Sequence, residues 1–377
     1  MHNELCDRLG IEFPIFAFSH CRDVVAAVTN AGGLGVLGAV AFSAADLAIE
    51  LDWIDTHTNG RPYGVDVIVP ARYVGQESGG LTSRSATELI DDEHRRFVSD
   101  LLARYGVPEL EARPTGRRDD AAAFSYNGAM AALDEVWGHS QVRLIANALG
   151  PAPESLVRDA HERGVLVAGL AGTVTHAERQ RDVGVDLVIA QGYEAGGHTG
   201  EIGTLVLVPQ VVDAVHPLPV LAAGGIADGR QVAAAFALGA HGVWCGSLWL
   251  TTEEAETHPV VKQKFVRASS SDTVRSRAKT GKPARQLRSA WTDEWDAPGA
   301  PAPLPMPLQS MLVAEAEHRL GRSAATNPGA ESLINYFVGQ AVGQMNEIRP
   351  ARQVVFDLVE QYIAAAQVLA ASVSDQS

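Results

Sequence analysis

One stretch of this chain places a titratable side chain among glycines: Ala190-Gln191-Gly192-Tyr193-Glu194-Ala195-Gly196-Gly197-His198-Thr199-Gly200. It follows an apolar run, Val185 to Ile189, that reads as a buried parallel strand. An imidazole near neutrality can take a carbon-bound proton or stabilise an oxyanion. Glycine lets backbone approach a ligand closely or adopt positive φ. Where a buried strand emerges into such a loop is where α/β barrels carry their chemistry. Taken alone, a Gly-Gly-His turn is equally well an ordinary surface turn with an incidental histidine.

Two further strand ends change that balance. Ala222-Ala223-Gly224-Gly225-Ile226 closes one apolar run just before Asp228, and Trp244-Cys245-Gly246-Ser247 closes the next. Loops after the seventh and eighth strands of a barrel, with a short helix N-terminus, commonly hold a phosphate. Backbone N–H groups and the helix dipole favour the anion there, and Ser247 adds a hydroxyl donor. Neither loop contains Lys or Arg, which fits a backbone cradle and implies a phosphorylated cofactor or substrate.

Other chemistries fit less well. No lysine stands at an obvious strand end, which argues against Schiff-base or pyridoxal chemistry. Strand-end carboxylates do not cluster, and the three cysteines, Cys6, Cys21 and Cys245, form no metal-ligand pattern or disulfide framework, so no metal is expected. Flavin chemistry needs only a phosphate anchor, amide contacts and one acid/base, and His198 is the strong candidate for the last. Asp66, in an otherwise apolar third strand, needs a partner, because burying a lone carboxylate is expensive. It accepts from a flavin ring N–H or makes a structural hydrogen bond, and both readings stand. His20 and Ser19 line the pocket or are ordinary loop, and Glu194 is at the mouth or merely solvated.

These residues need elements to hold them. Apolar runs at Phe13–Phe18, Leu34–Leu37, Tyr63–Val69, Val142–Ala148, Val165–Gly169, Leu187–Ala190, Pro219–Ala223 and Gly242–Gly246 alternate with amphipathic segments. Eight such units imply right-handed βαβ connections and favour a (β/α)8 barrel, spanning residues 1–250, over an open sheet. A long insertion after strand three, about 72–137, reads as a lid or an interface element. Its first part, Gly75 to Ser85, is polar and glycine-rich. A C-terminal extension, 251–377, holds a basic stretch, a proline-rich linker and helices from Leu308 onward that form a cap region on the barrel or pack against a neighbouring subunit. A homo-oligomer is therefore among the expectations.

At 377 residues and a net charge of −15, the chain suits a small-molecule substrate and not nucleic acid, which needs a basic surface. No leader-like N-terminus and no run of about 18 apolar residues is evident, so the expectation is a cytoplasmic protein without a membrane partner.

The segment Gln191–Gly200 resembles the signature of the nitronate monooxygenases, formerly called 2-nitropropane dioxygenases. The resemblance continues through Pro219–Gly229, Leu238-Gly239-Ala240, Gly246-Ser247, Asn30–Gly35, Asp272-Thr273-Val274 and Thr280–Arg285, in order, over most of residues 5–295. It implies an FMN-binding TIM barrel in which His198 is the catalytic acid/base. The same match implies that Gln191, Gly196 and Gly197 contact the flavin, that Gly224, Gly225 and the turn Trp244, Cys245, Gly246 and Ser247 hold its phosphate, and that Ala17 and Asp66 lie beside it. The implied activity is oxidation of alkyl nitronates with O2 to a carbonyl compound and nitrite. Three features depart from the family pattern: Ala17-Phe18-Ser19-His20 at the first strand end, Asp66 where Asn is usual, and the short run Glu201-Ile202-Gly203 after His198. The short form also resembles FMN-dependent enoyl reductases and NAD(P)H:quinone reductases of the same superfamily, with an acyl-thioester substrate as a further alternative.

Overall fold

A computed structural model describes residues 1–69, 88–110, 126–148 and 150–374. Eight parallel strands close into a barrel: β1 (Ile15–Ser19), β2 (Leu34–Gly38), β3 (Tyr63–Val67), β4 (Val142–Asn147), β5 (Leu166–Ala171), β6 (Leu187–Gln191), β8 (Val220–Ala223) and β9 (Gly242–Cys245). All eight expected strands are present, with ends displaced by no more than two residues. Side chains alternate across the wall. Phe16, Leu34, Val36, Leu144, Ile189 and Leu221 fill the interior, while Ile15, Leu37, Val65, Val188 and Val243 meet the surrounding helices. The interior is thus packed layers of side chains and not a pore.

Between strands, helices start where a short polar side chain takes up the orphan N–H groups. Ser43 caps Ala44–His57, Thr173 caps Val174–Asp182, and Asp228 with Gln231 forms a capping box on Gly229–Ala237. The helix between β6 and β8 runs Thr204–Val215. Its first turn is stabilised from outside, because the Glu194 carboxylate accepts from Thr204 N at 2.9 Å and Thr204 Oγ1 at 2.8 Å. That support keeps Pro209 inside the helix instead of at its start.

The segment beyond residue 250 is not an appendage. β10 (Thr273–Ser276) and β11 (Ala284–Leu287) form an antiparallel hairpin, and β11 pairs with β7 (Gly197–His198), so the loop carrying His198 is stapled to the C-terminal region. The described part of the 72–137 insertion packs on that same region. Phe97 meets Trp295 edge-on at 4.7 Å, Arg104 pairs with Glu294 at 2.7 Å, and Arg319 donates to Val107 O at 2.8 Å. These contacts tie residues 97–107 of the insertion to the C-terminal region, while the polar Gly75–Ser85 stretch lies outside the described residues.

The last helix, Ala351–Ser374, amends one expectation, since it is long and apolar enough to cross a membrane by length and composition. Its first half is built into the fold: Ala351, Val354, Val355 and Leu358 are buried, and the helix packs against Gly229–Ala237. The outer half exposes Ile363, Val368 and Leu369.

Candidate active site

The C-terminal strand ends open into one cavity of about 1260 Å³. Its lining includes Asp66 from β3, Gln191 from β6, the loop from Ala195 to Gly200, the turn Ala223–Ile226 and the turn Trp244–Ser247. Three strand-end signals scattered through the sequence therefore meet at one mouth. They meet because consecutive parallel strands neighbour one another, β6 lying against β8 and β8 against β9.

His198 sits partly buried at the rim, its Nε2 2.8 Å from Thr280 Oγ1. Burial, aided by the Lys282 ammonium, lowers its pKa to about 4. The ring is accordingly neutral at pH 7, a hydrogen-bonding group and a weak base. Lys282 lines the cavity, and its side chain makes no ion pair or hydrogen bond among the described residues. Lys282→Met removes a positive charge that disfavours the imidazolium, so the His198 pKa should rise toward, but not reach, 6.5, because burial is the larger cause. The acid limb of kcat/KM against pH should move upward. A limb that stays in place or moves down would refute the assignment.

Asp66 is 4% exposed and its carboxyl makes no hydrogen bond among the described residues. Burial alone raises its pKa well above the usual carboxyl value of 3.8. Without a ligand the fold favours the protonated carboxyl more than the unfolded chain does, so the group contributes stability below about 3.8 that is lost as pH rises through its raised pKa. Flavin-free Asp66→Asn should therefore melt higher than wild type at pH 7–8, with the gain vanishing below pH 4. Equal melting temperatures across that range would show that Asp66 has a partner in the flavin-free protein.

The two glycine turns form a cradle that side chains would fill. Gly224 and Gly225 have φ of +102° and +75°, and a Cβ on Gly225 would meet Glu194 Cβ at 3.2 Å. A Cβ on Gly196 would meet Gly339 N at 2.8 Å. The N–H groups of Gly225 and Ser247 have no backbone acceptor among the described residues. Ser247 Oγ accepts from Gly339 N at 2.8 Å, which leaves its own proton to donate to a ligand. The helix after Gly225 is different from expectation. Its N-terminal donors are taken by Asp228, by Gln231 and, at Gly229, by Gln361 from the last helix. An anion held here would therefore meet the loops themselves and not the helix N-terminus.

These features fit a flavin phosphate and ring. The cradle is open backbone, Gln191 has an uncommitted amide, Asp66 is an orphaned buried carboxyl, and the buried Thr199 Oγ1 also lacks a partner. Four expected positions act differently from the reading above. Ala17 points outward into the barrel–helix layer, since alternation along β1 sends Phe16 and Phe18 inward, and Phe18 to Cys21 line the cavity instead. The Cys245 thiol also faces that layer, where burial pushes its pKa to about 12, so this residue offers backbone only. Trp244 stacks on Phe16 and Phe18 at 6.3 and 6.1 Å and forms the cavity floor. Glu194 is neither solvated nor a ligand group, because it caps Thr204.

Sequence reading missed Thr280 and Lys282 as site residues, together with Phe337, 6.4 Å from the His198 ring. The motif Thr280–Arg285 was a signal for the first two. Nothing in the sequence marked Phe337. Near the first strand end, Cys21, Asp23 and Glu256 bring three metal-type ligand atoms within 4.8 Å. The Cys21 thiol is already committed to Glu254 O at 3.1 Å, and burial raises its pKa.

The family model for nitronate monooxygenase matches residues 3–361. A Mycobacterium tuberculosis protein described as a putative monooxygenase is 60% identical over 365 residues, covering 96% of this chain and 97% of that protein. A probable nitronate monooxygenase of Staphylococcus aureus is 30% identical over 373 residues, covering 95% and 97%. Among solved structures, nitroalkane oxidase from Streptomyces ansochromogenes matches with a TM-score of 0.79 at 30% identity, over 97% of this chain and all of that one. FabK from Thermotoga maritima matches at 0.72 and 28%, over 99% of each chain.

Proposed function

Because the chain belongs to the nitronate monooxygenase family and is an oxidoreductase, we propose that it binds FMN and oxidises alkyl nitronates with O2. The observation that carries this reading is a neutral, half-buried His198 at the same mouth as a charge-free phosphate cradle and two uncommitted amide-type and carboxyl groups. Gly225, Gly246 and Ser247 would hold the phosphate, Gln191, Gly196 and Gly197 would contact the ring, and Asp66 would meet a ring N–H. Bound FMN supplies the one-electron redox chemistry that couples nitronate to O2, and the overall reaction balances as two nitronates and one O2 to two carbonyl compounds and two nitrites.

His198 favours a substrate that arrives already deprotonated. A ring with a pKa of about 4 is a poor acceptor for a carbon-bound proton, but it is a good neutral hydrogen-bond partner for an anion's oxygen. An anion bound beside it would raise its pKa, so the ring can accept a proton during turnover. The phosphate cradle, by contrast, holds its ligand by geometry and N–H dipoles with no side-chain cation inside the turns.

A second reading is supported by space. Ligand pockets commonly measure roughly 300–1,000 Å³, and this open cavity of about 1260 Å³ exceeds that range. That room suits an NAD(P)H-dependent reduction of an enoyl or quinone group, or an acyl-thioester substrate. Anaerobic bleaching separates the two. With ethyl nitronate the first reading expects rapid loss of flavin absorbance, and with NADH or NADPH little. Bleaching by a reduced nicotinamide alone would move the protein to the second reading. A colourless protein that takes up no added FMN would end both.

A further inference from the structure

His198 does not stand alone: the C-terminal segment brings Thr280, 82 residues later, to 2.8 Å from its Nε2. The place is firmly built. β11 pairs with β7 in register, Ala284 opposite His198 and Arg285 opposite Gly197. The turn between β10 and β11 is held at Gly281, whose φ is +80° and whose carbonyl accepts from Arg277 Nε at 2.8 Å. A side chain at Gly281 would run into the Leu304 carbonyl at 1.9 Å, so the turn has no room to relax.

The Thr280 hydroxyl has three neighbours, and their chemistry leaves one consistent arrangement. Lys282 O, at 3.2 Å, only accepts. Lys282 N–H, at 3.4 Å, only donates. A hydroxyl has one proton and two lone pairs. If that proton goes to Lys282 O, the two lone pairs receive Lys282 N–H and His198 Nε2–H, and every contact is used. If instead the hydroxyl donates to Nε2, the ring proton must sit on Nδ1, which has no acceptor among the described residues. That arrangement also takes the hydroxyl proton away from Lys282 O, so one of the three contacts is lost.

We infer that Thr280 is a positioning residue that holds His198 as its Nε2–H tautomer and leaves the Nδ1 lone pair as the ring atom offered to the substrate. Of the cations nearby, Arg285 on the paired strand donates to Tyr193 O and Thr273 Oγ1, Arg275 reaches Thr199 O and Glu201, and Lys282 makes no hydrogen bond to the ring among the described residues. The residue that sets the acid/base therefore comes from beyond the barrel. This inference rests on the reading of His198 as the acid/base, though the tautomer can be measured whatever the substrate is.

The test uses the full-length flavoprotein labelled with ¹⁵N-histidine, the His198 signals being identified by their loss in His198→Asn. The expected spectrum at pH 7 has a protonated Nε2 and a bare Nδ1. Thr280→Val should lose that single tautomer and drop kcat/KM by at least about tenfold, a part of the 10²–10⁴ that one acid/base supplies. Thr280→Ser, which keeps the hydroxyl, should restore the tautomer and most of the rate. A protonated Nδ1 in the unmodified protein overturns the inference even if Thr280→Val fails to fold, and so does a Thr280→Val protein with unchanged tautomer and pH profile. A correct tautomer in a protein that never oxidises nitronates would instead discard the proposed substrate and leave the role of Thr280 standing.

Discussion

Replacing His198 with asparagine is expected to lower turnover by about 10²–10⁴-fold while flavin stays bound, the usual scale for losing one acid/base. The separation of the two effects follows from geometry. His198 lies on β7 at the rim, tied to Thr280, whereas the phosphate cradle is made by the turns after β8 and β9. Asparagine keeps a polar group near the position of the ring but cannot exchange a proton near neutrality. Wild-type kcat/KM should show no inflection from this residue between pH 5 and 8, because its ring in the free enzyme is neutral throughout that range. Stopped-flow reduction under nitrogen and steady-state oxygen uptake measure both quantities. Unchanged turnover in His198→Asn would reduce the residue to a structural role.

Gly225→Asp tests the other half of the site. Position 225 has φ of +75°, a region that Asp and Asn tolerate better than most residues, so the fold should survive. The new carboxylate would stand in the cradle, with its Cβ 3.2 Å from Glu194 Cβ, and face the phosphate. Juxtaposed like charges cost several kcal/mol, and about 2.8 kcal/mol is already a hundredfold in Kd. The variant should purify colourless, with FMN affinity weakened at least about a hundredfold by fluorescence titration. Gly225→Asn has nearly the same shape without the charge and should fall between. Full flavin occupancy in Gly225→Asp would place the phosphate elsewhere.

The two variants sit on elements of unequal legibility. The turn at Gly225 follows a four-residue apolar strand, Val220–Ala223, and its glycines are a local signal of backbone that side chains rarely adopt. Asp66 was readable as a carboxyl in an apolar run, and its burial without a partner follows once that run is a barrel strand. The surroundings of His198 were not readable in this way. Its hydroxyl partner lies 82 residues downstream, and Gly339, which donates to Ser247, lies 92 residues from it. Glu194 reads as a solvated loop residue until Thr204 is seen to use its carboxylate. The helix start after Gly225 looks free until Gln361 is seen to occupy it.

What the sequence determined by itself was periodic or local. Alternating apolar runs set eight strands, since buried parallel strands read as continuous hydrophobic stretches, and glycine pairs marked the strand ends where a ligand can approach. The tertiary structure alone decided which far-off groups complete the site, namely that β11 is the partner of β7 and that Thr280 meets His198. Hydrogen bonds between side chains tens of residues apart carry no periodicity and depend on how separate elements pack, so no window of sequence contains them.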